Sequence, residues 1–376
     1  MGLGPLYRRR LRLGRIDILP AARLERGEDL KVAPMIAAPS MPRLGSTALL
    51  LLVLAVPACG GPSNPSTWGT GKIALQGCPA SGLGAVSVAG PCWVFSPAAA
   101  GASPSGQNAS RMNYALEPSG PARGTLVVIL NGSGSFPAQL MIDPGRNLFT
   151  AALESGNHVL AIAYRSDVAV VTMCGSRPDC YGASRSTLVN GVFASGADES
   201  LANIQEDEGI ISRIDQALRA LSASRPDAGW SAFIGSSNAT TAAGRIAWQR
   251  LIVSGHSQGG GHAAYLGKMF PLNRVVQFAS TCDAAAGVPA PWTAAGSGWA
   301  TSPAAAFYGF SAPTVFTNGL PTGGDLNCPY HAAVWQNMGM SPGRQDDAAN
   351  TCAGIDSHPA AILCSSNYSR WVDLFR

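Results

Sequence analysis

RLIVSGHSQGGGHAAYLGKMF, residues 250–270, decides how the rest of the chain is read. Leu251, Ile252 and Val253 make an apolar run of strand character, and from Gly259 onward Ala263, Ala264, Leu266 and Met269 recur at helical spacing. Between the two lies Gly255-His256-Ser257-Gln258-Gly259. A serine at so sharp a strand-to-helix turn sits in a strained backbone conformation, and the flanking glycines let strand and helix approach each other. Its hydroxyl is presented at a helix N-terminus, where unpaired N–H groups and the helix dipole favour the negative charge that develops during attack on a carbonyl. A glycine-bracketed serine arises easily by chance in a chain with 44 glycines. Here the strand before it and the helix after it mark Ser257 as the candidate nucleophile.

A serine hydroxyl is a poor nucleophile at neutral pH and needs a base within hydrogen-bond reach, itself oriented by an acid. The chain has five histidines. His256 adjoins the serine but is expected to point off the elbow, His262 lies on the following helix, His158 begins a strand, and His331 belongs to a helix-like run, Tyr330 to Met340. That leaves His358, in GIDSHPA, as the base. A bridge between Cys352 and Cys364 would restrain its loop and lower the entropic cost of alignment. For the acid, Asp325 follows the strand-like run PTVFT (313–317) and is preferred to its rival Asp283, which follows RVVQFA (274–279). Asp356 is only two positions from His358 and is poorly placed to face it.

Thr125 to Leu130, TLVVIL, reads as a buried central strand, and Asn131-Gly132-Ser133-Gly134 follows it. A glycine-containing loop at the carboxyl end of such a strand is where an α/β fold gathers its site. The N–H groups of Ser133 and Gln258 are therefore the expected oxyanion donors. A plain strand-to-helix turn is the alternative at Ser133. Asn131-Gly132-Ser133 also matches a glycosylation acceptor, to which a bacterial-type signal gives little weight.

Around these landmarks strands alternate with helices, implying right-handed crossovers and a mostly parallel sheet. Cys92 to Phe95 and Met112 to Leu116 are expected as antiparallel strands at the N-terminal edge, Arg146 to Glu154 as a helix, and His158 to Tyr164 as a strand. Arg165 to Gly196 reads as loop, and Glu199 to Leu221 as an amphipathic helix whose acidic residues Glu206, Asp207 and Glu208 face solvent. An insert around 284–311 carries Trp292, Trp299, Phe307, Tyr308 and Phe310, aromatics that suit either a lid over the site or a satellite core.

With 46% hydrophobic and 13% charged residues, the 376-residue chain can bury a sizeable core. Its formal charge of +4 is concentrated at the start: residues 1–58 hold nine of the 26 Lys and Arg but four of the 22 Asp and Glu. The remainder is near neutral, which argues against nucleic acid as a partner. Residues 1–40 are read as an upstream misassigned start. From Met41 the chain has the pattern of a secretory signal over 41–58, with one charge at Arg43 and an apolar run from Ala48 to Val56 that is short for a membrane span. This stretch resembles a bacterial lipoprotein signal, which implies lipidation of Cys59 and an exported protein held to a membrane by that anchor; the Gly, Pro and Ser that follow read as a flexible linker over 59–71, before a single domain, 72–376. The other eight cysteines suit an oxidising compartment, and local spacing suggests Cys78 with Cys92, Cys174 with Cys180, Cys282 with Cys328 and Cys352 with Cys364. There is no C-x-x-C pair and no H-E-x-x-H element, so neither metal nor cofactor is expected.

The order of Ser257, Asp325 and His358 resembles the α/β-hydrolase superfamily, over roughly residues 92–376. The resemblance implies an α/β-hydrolase fold, with a mostly parallel central sheet flanked by helices, and acyl transfer on a small or lipidic carboxylic ester. It departs from a common oxyanion pattern in having Asn131 where many members carry histidine. A peptidase or other acyl hydrolase on the same triad, and a surface-binding lipoprotein without chemistry, are the alternatives.

Overall fold

The computed structural model describes residues 71–80, 84–85, 90–141, 143, 145–236, 238–347, 352 and 355–376, all within one unit, Pro62–Arg376. The signal segment, Cys59 and the linker through residue 70 lie outside the described residues. The main sheet is built from β1 (Gln76–Gly77), β2 (Cys92–Phe95), β3 (Asn113–Leu116), β4 (Leu126–Leu130), β5 (His158–Ala161), β6 (Leu251–His256), β7 (Arg274–Phe278), β8 (Phe307–Ser311) and β9 (Gln345–Asp347). Their spatial order is β1-β2-β3-β5-β4-β6-β7-β8-β9. The pairs from β5 to β9 are parallel, and those joining β1, β2, β3 and β5 are antiparallel. The protein thus has a mixed α/β fold whose antiparallel strands sit at the N-terminal edge.

Alternation along the strands divides the interior into two layers. Leu126, Val128 and Leu130 of β4 and Leu251 and Val253 of β6 face one core. It is closed by α3 (Pro178–Asn190), α4 (Ile210–Ser224) and α5 (Gln258–Met269), through residues such as Leu188, Ile214, Leu218, Ala264 and Leu266. Val127, Ile129 and Ile252 face the other, closed by α1 (Leu148–Glu154) and the C-terminal helix α8 (Tyr368–Phe375). A sheet covered on both sides needs apolar residues at consecutive positions, which is why TLVVIL and RLIV carry no polar alternation.

Several expectations give way to tertiary packing. Arg165 to Gly196 is not loop-rich: it holds α2 (Val170–Cys174) and the 13-residue α3. The α3 sequence lacks an apolar stripe because its buried side includes Ser184, Arg185 and Thr187, satisfied by partners elsewhere in the chain. The helix expected from Glu199 starts at Ile210, after two short 3-10 turns. Its acidic approach is not simply solvated, since Glu208 is buried and accepts from the Ser105 and Gln205 N–H groups, and Asp207 accepts from Ser103. Arg213 is buried as well, donating to the Ala109 and Ala163 carbonyls.

The largest correction concerns the insert. Val315–Thr317 does not join the main sheet; it is an exposed strand paired with Leu320–Gly323 in a separate hairpin. The sheet strand is instead Phe307–Ser311, within the stretch expected to be lid-like. Phe307 and Trp292 are buried in the core beside α5, and Phe310 in the opposite layer. Gly309 makes this possible, because a Cβ there would lie 2.6 Å from the Trp335 ring of α6 (His331–Met338). Of the two roles open to these aromatics, the structure gives Trp292, Phe307 and Phe310 the core-forming one.

All four cysteine pairs are bonded as their spacing suggested, with Cα–Cα separations of 5.3, 5.4, 4.9 and 5.7 Å in chain order. Such bonds persist outside the reducing cytoplasm, so the disulfides fit an extracytoplasmic protein. No helix among the described residues is long and apolar enough to cross a membrane.

Candidate active site

β6 runs straight into α5 through Ser257, whose φ of 53° and ψ of −119° lie where side chains with a Cβ are strained. Neighbouring groups hold it there. The Ser257 N–H donates to the Phe278 carbonyl at 2.9 Å, and its own carbonyl accepts from Ser280 Oγ at 2.6 Å and from the Gly261 N–H at 3.2 Å. The bracketing glycines are steric necessities. A Cβ on Gly255 would come within 2.3 Å of the Gly259 carbonyl carbon, and one on Gly259 within 2.2 Å of the Leu130 oxygen. Gly261 is equally constrained, because the Arg185 guanidinium lies against it.

Ser257 opens onto a cavity of about 650 Å³ whose walls also include His256, Gln258, Ser133 and His358. His358 is the second residue of α7 (Ser357–Leu363), and its side chain is 11% exposed. Its Nδ1 lies 2.8 Å from Asp325 Oδ1. Asp325 is fully buried, and also accepts from the Cys328 N–H at 3.0 Å and from Ser311 Oγ at 3.1 Å. Burial pushes its carboxyl up, but the bond from His358, the nearby His358 and His331 rings and the Cys328 N–H outweigh this and leave it below the ordinary carboxylate range. An ionised carboxylate only accepts, so Nδ1 of His358 carries the proton and Nε2 is the basic nitrogen. Although PTVFT is not the sheet strand preceding it, Asp325 still reaches His358, because β8 ends at Ser311 and the exposed hairpin returns the chain to that edge.

The rival acid, Asp283, is committed elsewhere. Both its oxygens accept from Arg185 at 2.5 Å, and Oδ2 also accepts from Trp292 Nε1 at 2.9 Å. Arg185 in turn donates Nη1 to the Gln258 carbonyl at 3.0 Å, so this buried pair braces α5 just beyond the elbow. His262 lies beside Arg185, and burial together with that charge holds it well below the ordinary histidine value. His158 donates Nε2 to the Ala228 carbonyl and packs edge-on to Trp230 and Phe233. His331 donates Nδ1 to the Cys328 carbonyl at 2.8 Å.

His256 is more than a neighbour pointing away. It lines the cavity, its ring centroid is 4.7 Å from that of His358, and its Nε2 donates to the His358 carbonyl at 3.1 Å. Burial and the adjacent His358 push its pKa down to about 3, so the ring stays neutral and acts as a fixed prop beneath the candidate base. Nothing in the sequence marks this role, since 102 positions separate the two histidines.

The two expected oxyanion donors, Ser133 and Gln258, both border the cavity. Gln258 begins α5, where a first-turn N–H has no helical acceptor. The Gly134 and Ser135 N–H groups are used by the Ser166 and Gly132 carbonyls, so neither is available as an additional donor from this loop. Gly132 approaches the elbow closely: a Cβ there would lie 3.3 Å from Ser257 Cβ and 2.9 Å from His256 Nδ1. Asn131, 1% exposed, shapes the loop by donating Nδ2 to Gly132 and Ser135 carbonyls and to Ser166 Oγ. That burial leaves no room for a glycan.

Asp325, Cys328 and His331 have the mutual proximity of a ligand set. Cys328 is bonded to Cys282, however, and offers no thiolate, while Asp325 is held by His358.

No protein-family model and no curated protein matches the chain. Solved structures to which the chain shows some similarity include an S-formylglutathione hydrolase from Agrobacterium tumefaciens, at 12% identity over 81% of this chain and 100% of that one, with a TM-score of 0.39. A thermophilic and thermostable carboxylesterase cloned from a metagenomic library matches at 11% identity over 71% of this chain and 83% of that one, TM-score 0.34. A further esterase matches at 10% identity over 76% and 79%, TM-score 0.35. At this distance the likenesses assign no activity to the chain.

Proposed function

We propose that the protein is a serine hydrolase that cleaves carboxylic esters through an acyl-enzyme on Ser257, His358 and Asp325. One observation carries this: a serine on a strained, glycine-bracketed elbow and a histidine oriented by a buried carboxylate border the same cavity. His358 Nε2 takes the Ser257 proton as Oγ bonds to the ester carbonyl carbon, and the resulting oxyanion is met by the Gln258 N–H and by Ser133 or Gly132. His358 then returns the proton to the departing alkoxide. Water, deprotonated by the same nitrogen, releases the acid and restores the serine. Asp325 keeps the ring in the Nδ1–H tautomer and balances its transient positive charge.

The cavity supports an uncharged ester over a charged one. Leu140, Val170, Val171, Ile362 and Leu363 supply apolar wall, and Arg185, the one Lys or Arg lining it among the described residues, is already neutralised by Asp283. Fluorophosphonate labelling of the wild type and Ser257→Ala, beside a chromogenic ester panel, tests the proposal. Labelling and turnover should both vanish with the hydroxyl, and equal turnover by the two proteins would refute it. Anchoring to a bacterial membrane through lipidated Cys59, with export to the cell envelope, is proposed on the sequence of residues 41–60 alone. Cys59→Ser should abolish palmitate incorporation, and continued labelling would end that idea.

A further inference from the structure

The cavity wall at Ala169, Val170, Val171 and Thr172 is unusual in how it is held. Ala169 caps, and the other three residues open, α2, a five-residue helix too short to keep its shape unaided. Its support comes from outside at three points. The Val170 N–H donates to Gln258 Oε1 at 3.0 Å. Cys174, at the far end, is bonded to Cys180 on α3. Tyr181 Oη donates to the Gly175 carbonyl at 2.9 Å. Within this frame Val170 is buried in the core while Val171 is 38% exposed, so the segment has one anchored side and one open side.

Gln258 is the residue directly after the nucleophile and is 4% exposed. An N–H can only donate, so the bond to Val170 fixes the carboxamide oxygen toward the wall. A proton returned by His358 must reach the leaving group, which therefore faces His358 and Pro359. On the ester-hydrolase reading, the wall tied to Gln258 is assigned to the acyl chain.

We propose that the Gln258 side chain determines which acyl chains are accepted, by hanging the 169–172 wall from the nucleophile elbow while the Cys174–Cys180 bond fixes its other end. The inference rests on the ester-hydrolase reading and adds to it a specificity determinant separate from the Gln258 backbone N–H. Loss of either anchor lets the wall move outward and relaxes discrimination against longer chains.

Gln258→Met keeps the side-chain volume and the backbone N–H but removes the carboxamide oxygen; Cys174→Ser/Cys180→Ser releases the other end. Both are assayed with p-nitrophenyl acetate, butyrate and octanoate, and amide hydrogen exchange is followed across 169–174. The octanoate-to-acetate ratio of kcat/KM should rise roughly tenfold in each, chiefly through KM for the longer ester, a change comparable to altering a pocket by a methylene or more. Exchange at Val170 should quicken in Gln258→Met. An unchanged ratio in the folded variants overturns the proposal, as does an equal loss of kcat on every ester with unaltered exchange. A wild type inert on all three esters removes the hydrolase reading and this inference with it, whereas an active wild type with unmoved ratios removes the inference alone.

Discussion

At the level of single residues, the proposed division between chemistry and scaffolding falls on two buried aspartates, Asp325 and Asp283, each close to the candidate site. Asp325→Asn would replace an acceptor-only carboxylate with a carboxamide that can favour the wrong His358 tautomer, so kcat should fall by about 10⁴ with far-ultraviolet circular dichroism unchanged. Asp283→Asn should act in the opposite way. It leaves the Arg185 guanidinium, whose side chain is 2% exposed, without its counter-charge, and should cost roughly 3–5 kcal/mol of stability in denaturant titrations. Were Asp283→Asn to stay fully stable yet lose turnover, the assignment of the acid would be reversed. Ser257 and its glycines were legible because their constraints are local: strand, turn and helix are adjacent in the chain. His256 was not, since its bond to the His358 carbonyl exists only after distant segments meet.

Among the elements, the loop that carries the proposed acid, Asp325, is joined to the cavity wall by a covalent tie. Cys282 borders the cavity, and Cys328 both bonds to it and donates its N–H to Asp325. The bond joins residues 46 apart, for which the chain-entropy model gives about 4 kcal/mol. Cys282→Ser/Cys328→Ser should therefore lower the melting temperature and, where the variant remains folded, reduce kcat more than it changes KM. Full kcat in a folded, bridge-free protein would show that the acid loop holds itself. The sequence foretold this pairing from spacing but misplaced the strand before Asp325. PTVFT has the β-branched and aromatic composition of a buried strand, whereas FYGFS is interrupted by a glycine whose purpose, clearance for Trp335, is visible only in three dimensions. Likewise α3 escaped notice because a helix buried around Arg185 and Ser184 shows no apolar stripe.

Across the whole molecule, buried neutral histidines couple folding to pH. His256, with a pKa pushed down to about 3, and His262, held well below the ordinary histidine value by burial beside Arg185, resist protonation in the folded state, while the unfolded chain takes up protons near pH 6.5. Stability contributed by this difference is complete above that pH and is lost as pH falls, for His256 at about 1.4 kcal/mol per pH unit down to about pH 3, with His262 acting in the same direction. Asp325, held below its ordinary value, adds a further loss at lower pH as its carboxylate becomes protonated. Chemical denaturation at pH 7, 5 and 4 should show midpoints falling steadily, and a flat profile would contradict the neutral burial of both rings. Composition and strand spacing made the two-layer α/β architecture readable, because long apolar runs bounded by glycine record burial directly. The proposed convergence of Ser257 with His358 and its partner Asp325, from three parts of the chain, would instead be a property of the entire sheet edge. It is tested most directly by comparing kcat/KM of Ser257→Ala, His358→Ala and the double variant on one ester. Residues acting as a unit predict that the double variant is no slower than either single one. Multiplicative losses would mean that serine and histidine work independently, and that no shared catalytic unit exists.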